Sequence, residues 1–109
     1  EQIKVSSNNI LLQIKNATWS KFTDTNSMDP FIDENANAIE IIPDDPDSIA
    51  VGDVISYKTE YGIVIHRVVE KNIDDEGVYY IVKGDNSSFV DPVKVRYKDI
   101  EGVVVAVIY

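Results

Sequence analysis

A serine, a histidine and two aspartates are the residues of this sequence whose chemistry could combine in one site. Ser27 lies in a polar loop with Thr25 two positions before it, and His66 is the only histidine of the chain. Asp85 and Asp91 follow in a segment rich in turn-forming residues. A serine hydroxyl attacks carbonyl groups only when a neighbouring base takes its proton, and a neutral imidazole is suited to that role. These residue types predict the nucleophile, base and acid of a hydrolase.

The remaining parts of such a site are an orienting carboxylate and donors for an oxyanion. A carboxylate on the second ring nitrogen holds the imidazole in place and steadies the imidazolium that forms. The tetrahedral intermediate needs hydrogen-bond donors, which are commonly backbone N–H groups or a hydroxyl. Ser27 can supply its own N–H and Thr25 its hydroxyl. The choice between Asp85 and Asp91 as orienting acid stays open.

Each of these residues also has an ordinary structural explanation. Serine is frequent in polar loops because its hydroxyl satisfies turn backbone, and Gly84-Asp85-Asn86 is common turn chemistry. A histidine between Val64 and Val68 on one strand face is typical of a hydrogen-bonded core residue. The residues alone therefore leave a hydrolase and a plain β domain as alternatives.

Composition excludes several classes of protein. The chain has 109 residues, 44% of them hydrophobic and 27% charged, which predicts one folded domain over 1–109. Its net charge of -9 provides no basic stripe for phosphates, so nucleic acid is not an expected partner. Because there is no cysteine, disulfides, zinc–thiolate sites and thiol nucleophiles are excluded.

Hydrophobic patterning predicts an all-β fold that must bring the distant residues together. Runs rich in Val, Ile and Tyr, bounded by turn signals, predict strands over 9–13 (or from residue 3), 38–42, 52–58, 62–70, 78–83 and 102–109. Glu60-Tyr61-Gly62 predicts a hairpin turn, and residues 20–36 read as irregular. A short helical turn is expected near 97–100. No apolar run is long enough to predict a membrane-spanning helix.

Four short segments, taken in order, resemble the conserved boxes of type I signal peptidases. The resemblance covers residues 25–109, and the ordered set is far more specific than any one segment. The segments are Ser27-Met28-Asp29-Pro30, Gly52-Asp53-Val54-Ile55, His66-Arg67-Val68-Val69, and Lys83-Gly84-Asp85-Asn86 with Asp91. The histidine in the third segment is similar to the archaeal and endoplasmic-reticulum branch, whereas bacterial members have lysine there.

The resemblance implies roles for individual residues. It implies Ser27 as nucleophile, His66 as general base and Asp91 as the acid that orients it, with Asp85 sharing or supporting that role. Thr25 matches the position of an oxyanion-hole hydroxyl. The fold that it implies is a set of coiled, partly barrel-like antiparallel sheets of the signal peptidase and LexA type. No metal or cofactor is implied.

The resemblance also implies a substrate, partners and a location. The activity would be endopeptidase cleavage of signal peptides from exported preproteins, with small side chains of the substrate entering shallow apolar pockets. Ile39, Ile41 and Val64 are candidate walls of those pockets. The catalytic domain would lie on the extracytoplasmic or lumenal face, tethered by a membrane anchor upstream of Glu1 or removed from it. The translocation machinery is a further candidate partner.

Two alternatives come from other classes. The first is a self-cleaving domain of the LexA or UmuD type, which would use lysine as base and carry an Ala-Gly or Cys-Gly cleavage pair before the serine. Neither pair precedes Ser27 in this sequence, and His66 stands where that lysine is expected. The second is a non-catalytic β module for binding or assembly.

Overall fold

The chain is an antiparallel β protein. The computed structural model describes residues 2–5, 10–13, 17–21, 27–29 and 37–108. Within these ranges the strands are β1 (Gln2–Val5), β2 (Ile10–Gln13), β3 (Ala17–Lys21), β4 (Asn37–Ile41), β5 (Val54–Thr59), β6 (Gly62–Asp74), β7 (Gly77–Lys83), β8 (Val95–Arg96) and β9 (Ile100–Ile108). Short 3₁₀ turns occur at Pro46–Ser48 and Tyr97–Asp99.

Seven of these strands form one sheet in the order β3-β4-β9-β5-β6-β7-β8, while β1 and β2 pair as a separate hairpin. The predicted all-β class is confirmed. The seven-stranded sheet is not closed on itself. In the described part of the chain, no helix has the length and apolar character needed to cross a membrane.

Two tight turns fix the register of the central hairpins. Thr59 accepts a hydrogen bond from the backbone of Tyr61 and donates one to the carbonyl of Gly62, which closes the predicted β5–β6 turn. Between β6 and β7, Asp74 accepts from the backbone N–H of Glu76 ahead of Gly77. Gly77 has a φ of 106°, a left-handed conformation that favours glycine. The register places His66 opposite Ile55.

The main core lies on the sheet face that carries His66. Side chains two residues apart on a strand share a face, so Ile55 and Tyr57 of β5 lie on the same side as Val64 and His66 of β6. The buried residues that pack together on this side are Ile49, Ile55, Tyr57, Val68, Tyr80, Val82, Val95 and Val103. A smaller cluster contains Met28 and Val54, with Ile65, Val104 and Val107 against it.

The predicted strands overlap strands of the structure, and most of their ends differ by one or two residues. The predicted first strand is an exception, because residues 2–5 and 10–13 form two strands that pair as a hairpin and not one strand from residue 3. β6 continues to Asp74, beyond the predicted end at residue 70. β3 and β8 were not predicted, since Ala17–Lys21 has a mixed composition and Val95–Arg96 contains only two residues. Of the stretch predicted to be irregular, residues 20 and 21 belong to β3, 27–29 form a turn, and 22–26 and 30–36 lie outside the described residues.

A core substitution tests the packing of the central sheet. Ile55→Ala removes a fully buried side chain, and it should lower the free energy of unfolding by about 2–5 kcal/mol because transfer and cavity costs add. Ile73→Ala, at a position 78% exposed on β6, is the matched control and should stay within about 0.5 kcal/mol of the parent. Urea unfolding measures both values; equal losses would contradict this placement of the core.

Candidate functional site

His66 and Asp91 form a hydrogen-bonded pair on the core side of the sheet. Nδ1 of His66, on β6, lies 2.7 Å from Oδ2 of Asp91, in the loop between β7 and β8. Because an ionised carboxylate only accepts hydrogen bonds, Nδ1 carries the proton in this arrangement. Nε2 of a neutral His66 is then left with a free lone pair. This is the tautomer that a general base requires.

The loop that carries Asp91 is fixed to the end of β7. The backbone N–H of Asp91 donates to the carbonyl of Val82 at 2.8 Å, and that of Ser87 donates to the carbonyl of Gly84 at 2.9 Å. The side chains of His66 and Asp91 are only 13% and 18% exposed. Limited access to water strengthens the electrostatic contact between the two side chains.

Tyr57 is a third member of this group. Its hydroxyl donates a hydrogen bond to Oδ2 of Asp91, the same oxygen that contacts His66. Burial is the main cause that raises the pKa of the Tyr57 phenol, followed by its hydrogen bond to Asp91 and the negative charge there. The phenol therefore stays protonated and remains a donor throughout the physiological pH range.

Tyr57 was not predicted from the sequence, although a signal was present. A tyrosine in a strand rich in Val and Ile is normally explained as a core residue. The predicted β5–β6 hairpin nevertheless places Tyr57 opposite Val64, on the same face as His66. A buried phenol requires a hydrogen-bond partner, and that requirement on this face points to the polar residues of the site.

Ser27 approaches His66 at Gly84. The backbone N–H of Asn86 donates to the carbonyl oxygen of Ser27 at 2.8 Å. A Cβ placed on Gly84 would lie 2.6 Å from that carbonyl oxygen and 3.0 Å from Nε2 of His66. The Ser27 carbonyl oxygen and Nε2 of His66 therefore both border the space beside Gly84 that a side chain would fill. This space is on the Nε2 side of the imidazole, away from Asp91.

Met28 anchors the serine loop next to this contact. Its side chain is buried and packs with Val54 and Ile65. The backbone N–H of Asp85 points at the Met28 sulfur, 3.3 Å away. The residue after Ser27 therefore fixes the loop to the sheet while Ser27 itself is half-buried.

Asp85 is paired with Arg67. Nε of Arg67 donates to Oδ1 of Asp85 at 2.9 Å, and a terminal guanidinium nitrogen donates to Oδ2 at 2.8 Å. Another terminal nitrogen of Arg67 donates to the carbonyl of Gly52. These Arg67 hydrogen bonds are the largest cause that lowers the pKa of Asp85. Of the two aspartates left open by the sequence, Asp91 contacts His66 and Asp85 contacts Arg67.

The other predicted site residues have different positions. Thr25, the candidate oxyanion donor, lies outside the described residues. Val64 lines a cavity of about 580 Å³ whose wall also includes His66 and Asp91. Ile39 is buried in β4, and Ile41 packs against the main core; neither is part of that wall.

Neither a metal site nor a known relative helps to assign the site. Within the described ranges, no group of three or more His, Asp or Glu side chains is arranged to hold a metal ion. No family model, no curated protein and no solved structure matches the chain. A functional assignment therefore depends on the chemistry and geometry of the site and on the four segments of resemblance.

Acid unfolding tests the Arg67–Asp85 pair. Because the pKa of Asp85 is lowered in the folded protein, the pair stabilises the fold fully above about pH 4, and this contribution is lost as the pH falls further. Asp85→Asn should lower the free energy of unfolding at pH 7 by about 1–3 kcal/mol. It should also make the free energy of unfolding fall less as the pH is lowered. Urea titrations at several pH values measure both effects. Asp75→Asn, at an exposed turn residue, is the control; identical acid profiles for the two variants would contradict the pairing.

A methyl group on Gly84 tests the contact between the serine loop and the imidazole. Gly84→Ala forces the Ser27 carbonyl or the His66 ring to move, since the new Cβ would lie 2.6 and 3.0 Å from them. We expect a loss of about 1–3 kcal/mol in the free energy of unfolding and a displaced NMR signal of the single histidine. Gly77→Ala adds a methyl into open space at a strained φ. It should destabilise the protein and leave that signal unchanged, and a His66 signal unmoved in Gly84→Ala would refute the contact.

Proposed function

We propose that this domain is a serine endopeptidase of the signal peptidase type, in which Ser27, His66 and Asp91 form the catalytic triad. The observation that carries the proposal is the position of the imidazole. His66 has its Nδ1 held by Asp91 and its Nε2 directed to the point where the Ser27 backbone passes Gly84. A carboxylate on Nδ1 would also satisfy a structural histidine, so the feature that favours catalysis is the serine loop on the Nε2 side.

The proposed reaction has an acylation half and a deacylation half, and the same three groups take part in both. Nε2 of His66 takes the hydroxyl proton of Ser27 as Oγ attacks the scissile carbonyl carbon. The tetrahedral intermediate collapses when the C–N bond breaks and His66 returns the proton to the leaving amine. Water, activated by the same imidazole, then hydrolyses the acyl ester and regenerates Ser27. Asp91 stabilises the imidazolium formed in both halves.

Donors for the oxyanion come from the serine loop in this proposal. The backbone N–H of Ser27 and the hydroxyl of Thr25 are the candidates that the sequence provides. Each such donor contributes about 10²–10³-fold to turnover in serine hydrolases. The loop is held for this role by Asn86, whose N–H binds the Ser27 carbonyl.

The substrates we propose are signal peptides of exported preproteins, cleaved by a domain tethered at the extracytoplasmic or lumenal face of a membrane. An extended substrate would add to the sheet by backbone pairing. Val64 is the predicted pocket residue that lies beside the site. Translocation machinery that delivers preproteins is the class of partner that fits this activity. The four ordered segments of resemblance support this choice of substrate over other peptides.

Cleavage of a fluorogenic signal-peptide mimic with small residues at −1 and −3 tests the function. Ser27→Ala should abolish turnover, and His66→Ala should lower it by about 10²–10⁴-fold. An acylating serine probe should add one equivalent of mass to the parent and none to Ser27→Ala. Ser88→Ala, at an exposed serine of the Asp91 loop, is the matched control and should retain full activity.

The same assay separates the proposed base from its alternatives. Lys83 is the amine next to the site, since its Nζ donates to the carbonyl of Gly84 at 3.1 Å. Lys83→Met should leave turnover within a few-fold of the parent. Loss of activity in Lys83→Met with full activity in His66→Ala would establish an amine base and refute the Ser–His assignment. Absence of both cleavage and acylation in a folded parent protein would favour a binding module.

A further inference from the structure

We propose that Tyr57 is a positioning residue that sets the location and effective charge of the carboxylate in contact with His66. The catalytic consequence of this role rests on the proposed function, but the effect of Tyr57 on Asp91 and His66 can be measured without any activity. Tyr57 belongs to none of the four segments of resemblance. It acts through Asp91, to which its hydroxyl donates a hydrogen bond.

The hydrogen-bond geometry gives Tyr57 this role. Oδ2 of Asp91 accepts one hydrogen bond from Nδ1 of His66 and another from the Tyr57 hydroxyl. An oxygen bound by two donors from two strands has little freedom to rotate away from either. The phenol thus determines which carboxylate oxygen meets the imidazole and where that oxygen lies.

Tyr57 is well suited to hold a loop residue because it belongs to the rigid part of the fold. Its side chain is 2% exposed and packs in the main core cluster. β5 pairs with β6 on one side and with β9 on the other, with a register shift between Ser56 and Tyr57 in the pairing with β9. Such bulges re-aim side chains locally. Asp91, in contrast, lies in an irregular loop.

The phenol also moderates the charge that His66 experiences. A donor on Oδ2 withdraws part of the carboxylate's negative charge, so it reduces the stabilisation that Asp91 gives to an imidazolium. The phenol keeps this effect at neutral pH because burial and then Asp91 raise the pKa of Tyr57. Asp85, in the same loop as Asp91, interacts electrostatically with His66, and Arg67 and Lys83 in turn act on Asp85. The titratable side chains that line the adjoining cavity are Lys58, Glu60, Tyr61, Lys94 and Asp99.

Removal of the hydroxyl should therefore raise the pH at which the imidazole titrates. In Tyr57→Phe, Asp91 presents its fuller negative charge to His66, and the protonated ring is favoured over a wider range. We expect the midpoint to rise by about half a pH unit or more, since one unit corresponds to about 1.4 kcal/mol of differential interaction. The low-pH limb of kcat/KM should move by the same amount.

NMR titration of the full chain measures this midpoint without any need for activity. His66 is the only histidine, so its ring proton signals are unambiguous. Tyr80→Phe is the matched control, because Tyr80 is equally buried and its hydroxyl donates to the carbonyl of Pro46 instead. The control should leave the His66 midpoint unchanged while it removes the same atom from the same core.

A double variant isolates the route through Asp91. In Asp91→Asn the carboxylate charge is gone, so addition of Tyr57→Phe should shift the His66 midpoint no further. A Tyr57→Phe midpoint equal to or below that of the parent would overturn the proposal, as would a shift of full size in the Asp91→Asn background. A raised midpoint in a protein that cleaves no peptide would support the positioning role and refute the proposed function.

Discussion

One oxygen atom, Oδ2 of Asp91, joins three of the parts of the fold that meet at the candidate site. β6 contributes His66, β5 contributes Tyr57 and the loop after β7 contributes the carboxylate itself. A partly buried carboxylate is costly unless it is hydrogen-bonded, so the donors and the acceptor stabilise one another's placement. The orientation of the imidazole, and thus the direction in which Nε2 points, is a consequence of that contact.

The second constraint is steric. The Ser27 loop reaches the imidazole only because position 84 has no side chain, since a Cβ there would clash with the Ser27 carbonyl. Gly84 is needed for close approach of two backbones and not for a left-handed turn. Packing of Met28 on one side and the Asn86 hydrogen bond on the other then fix the loop in that gap. The approach of the Ser27 loop to the imidazole therefore depends directly on how that loop packs.

Much of the fold followed from the sequence because alternating apolar residues and turn signals are local properties. They predicted β5, β6, β7 and β9, and the resemblance nominated Ser27, His66 and Asp91 as a set. The local sequence pattern alone did not predict the partner of each aspartate, because Asp85 and Asp91 share one loop, and which of them contacts the imidazole depends on how that loop returns to the sheet.

The order of the strands in the sheet was also not predictable from local sequence patterns. Ile39 and Ile41 were proposed, together with Val64 of β6, as walls of one set of pockets for the substrate. β9 and β5 instead separate β4 from β6. Tyr57 was not predicted for a related reason. The hydrogen-bond partner of a tyrosine in a strand is known only once the loop that carries the partner is placed. Long-range contacts of this kind come from topology.

The attachment of Asp91 has a consequence for how such a site fails. Asp91 lies on a loop fastened to β7 by a backbone hydrogen bond to Val82, whereas His66 and Tyr57 belong to paired strands of the central sheet. Native proteins open in separate cooperative units, and loop segments open at far lower free energy than central strands. Detachment of this one loop would separate Asp91 from His66 while the sheet stayed intact, so heat or denaturant would break the contact before amide exchange reported any melting of the sheet.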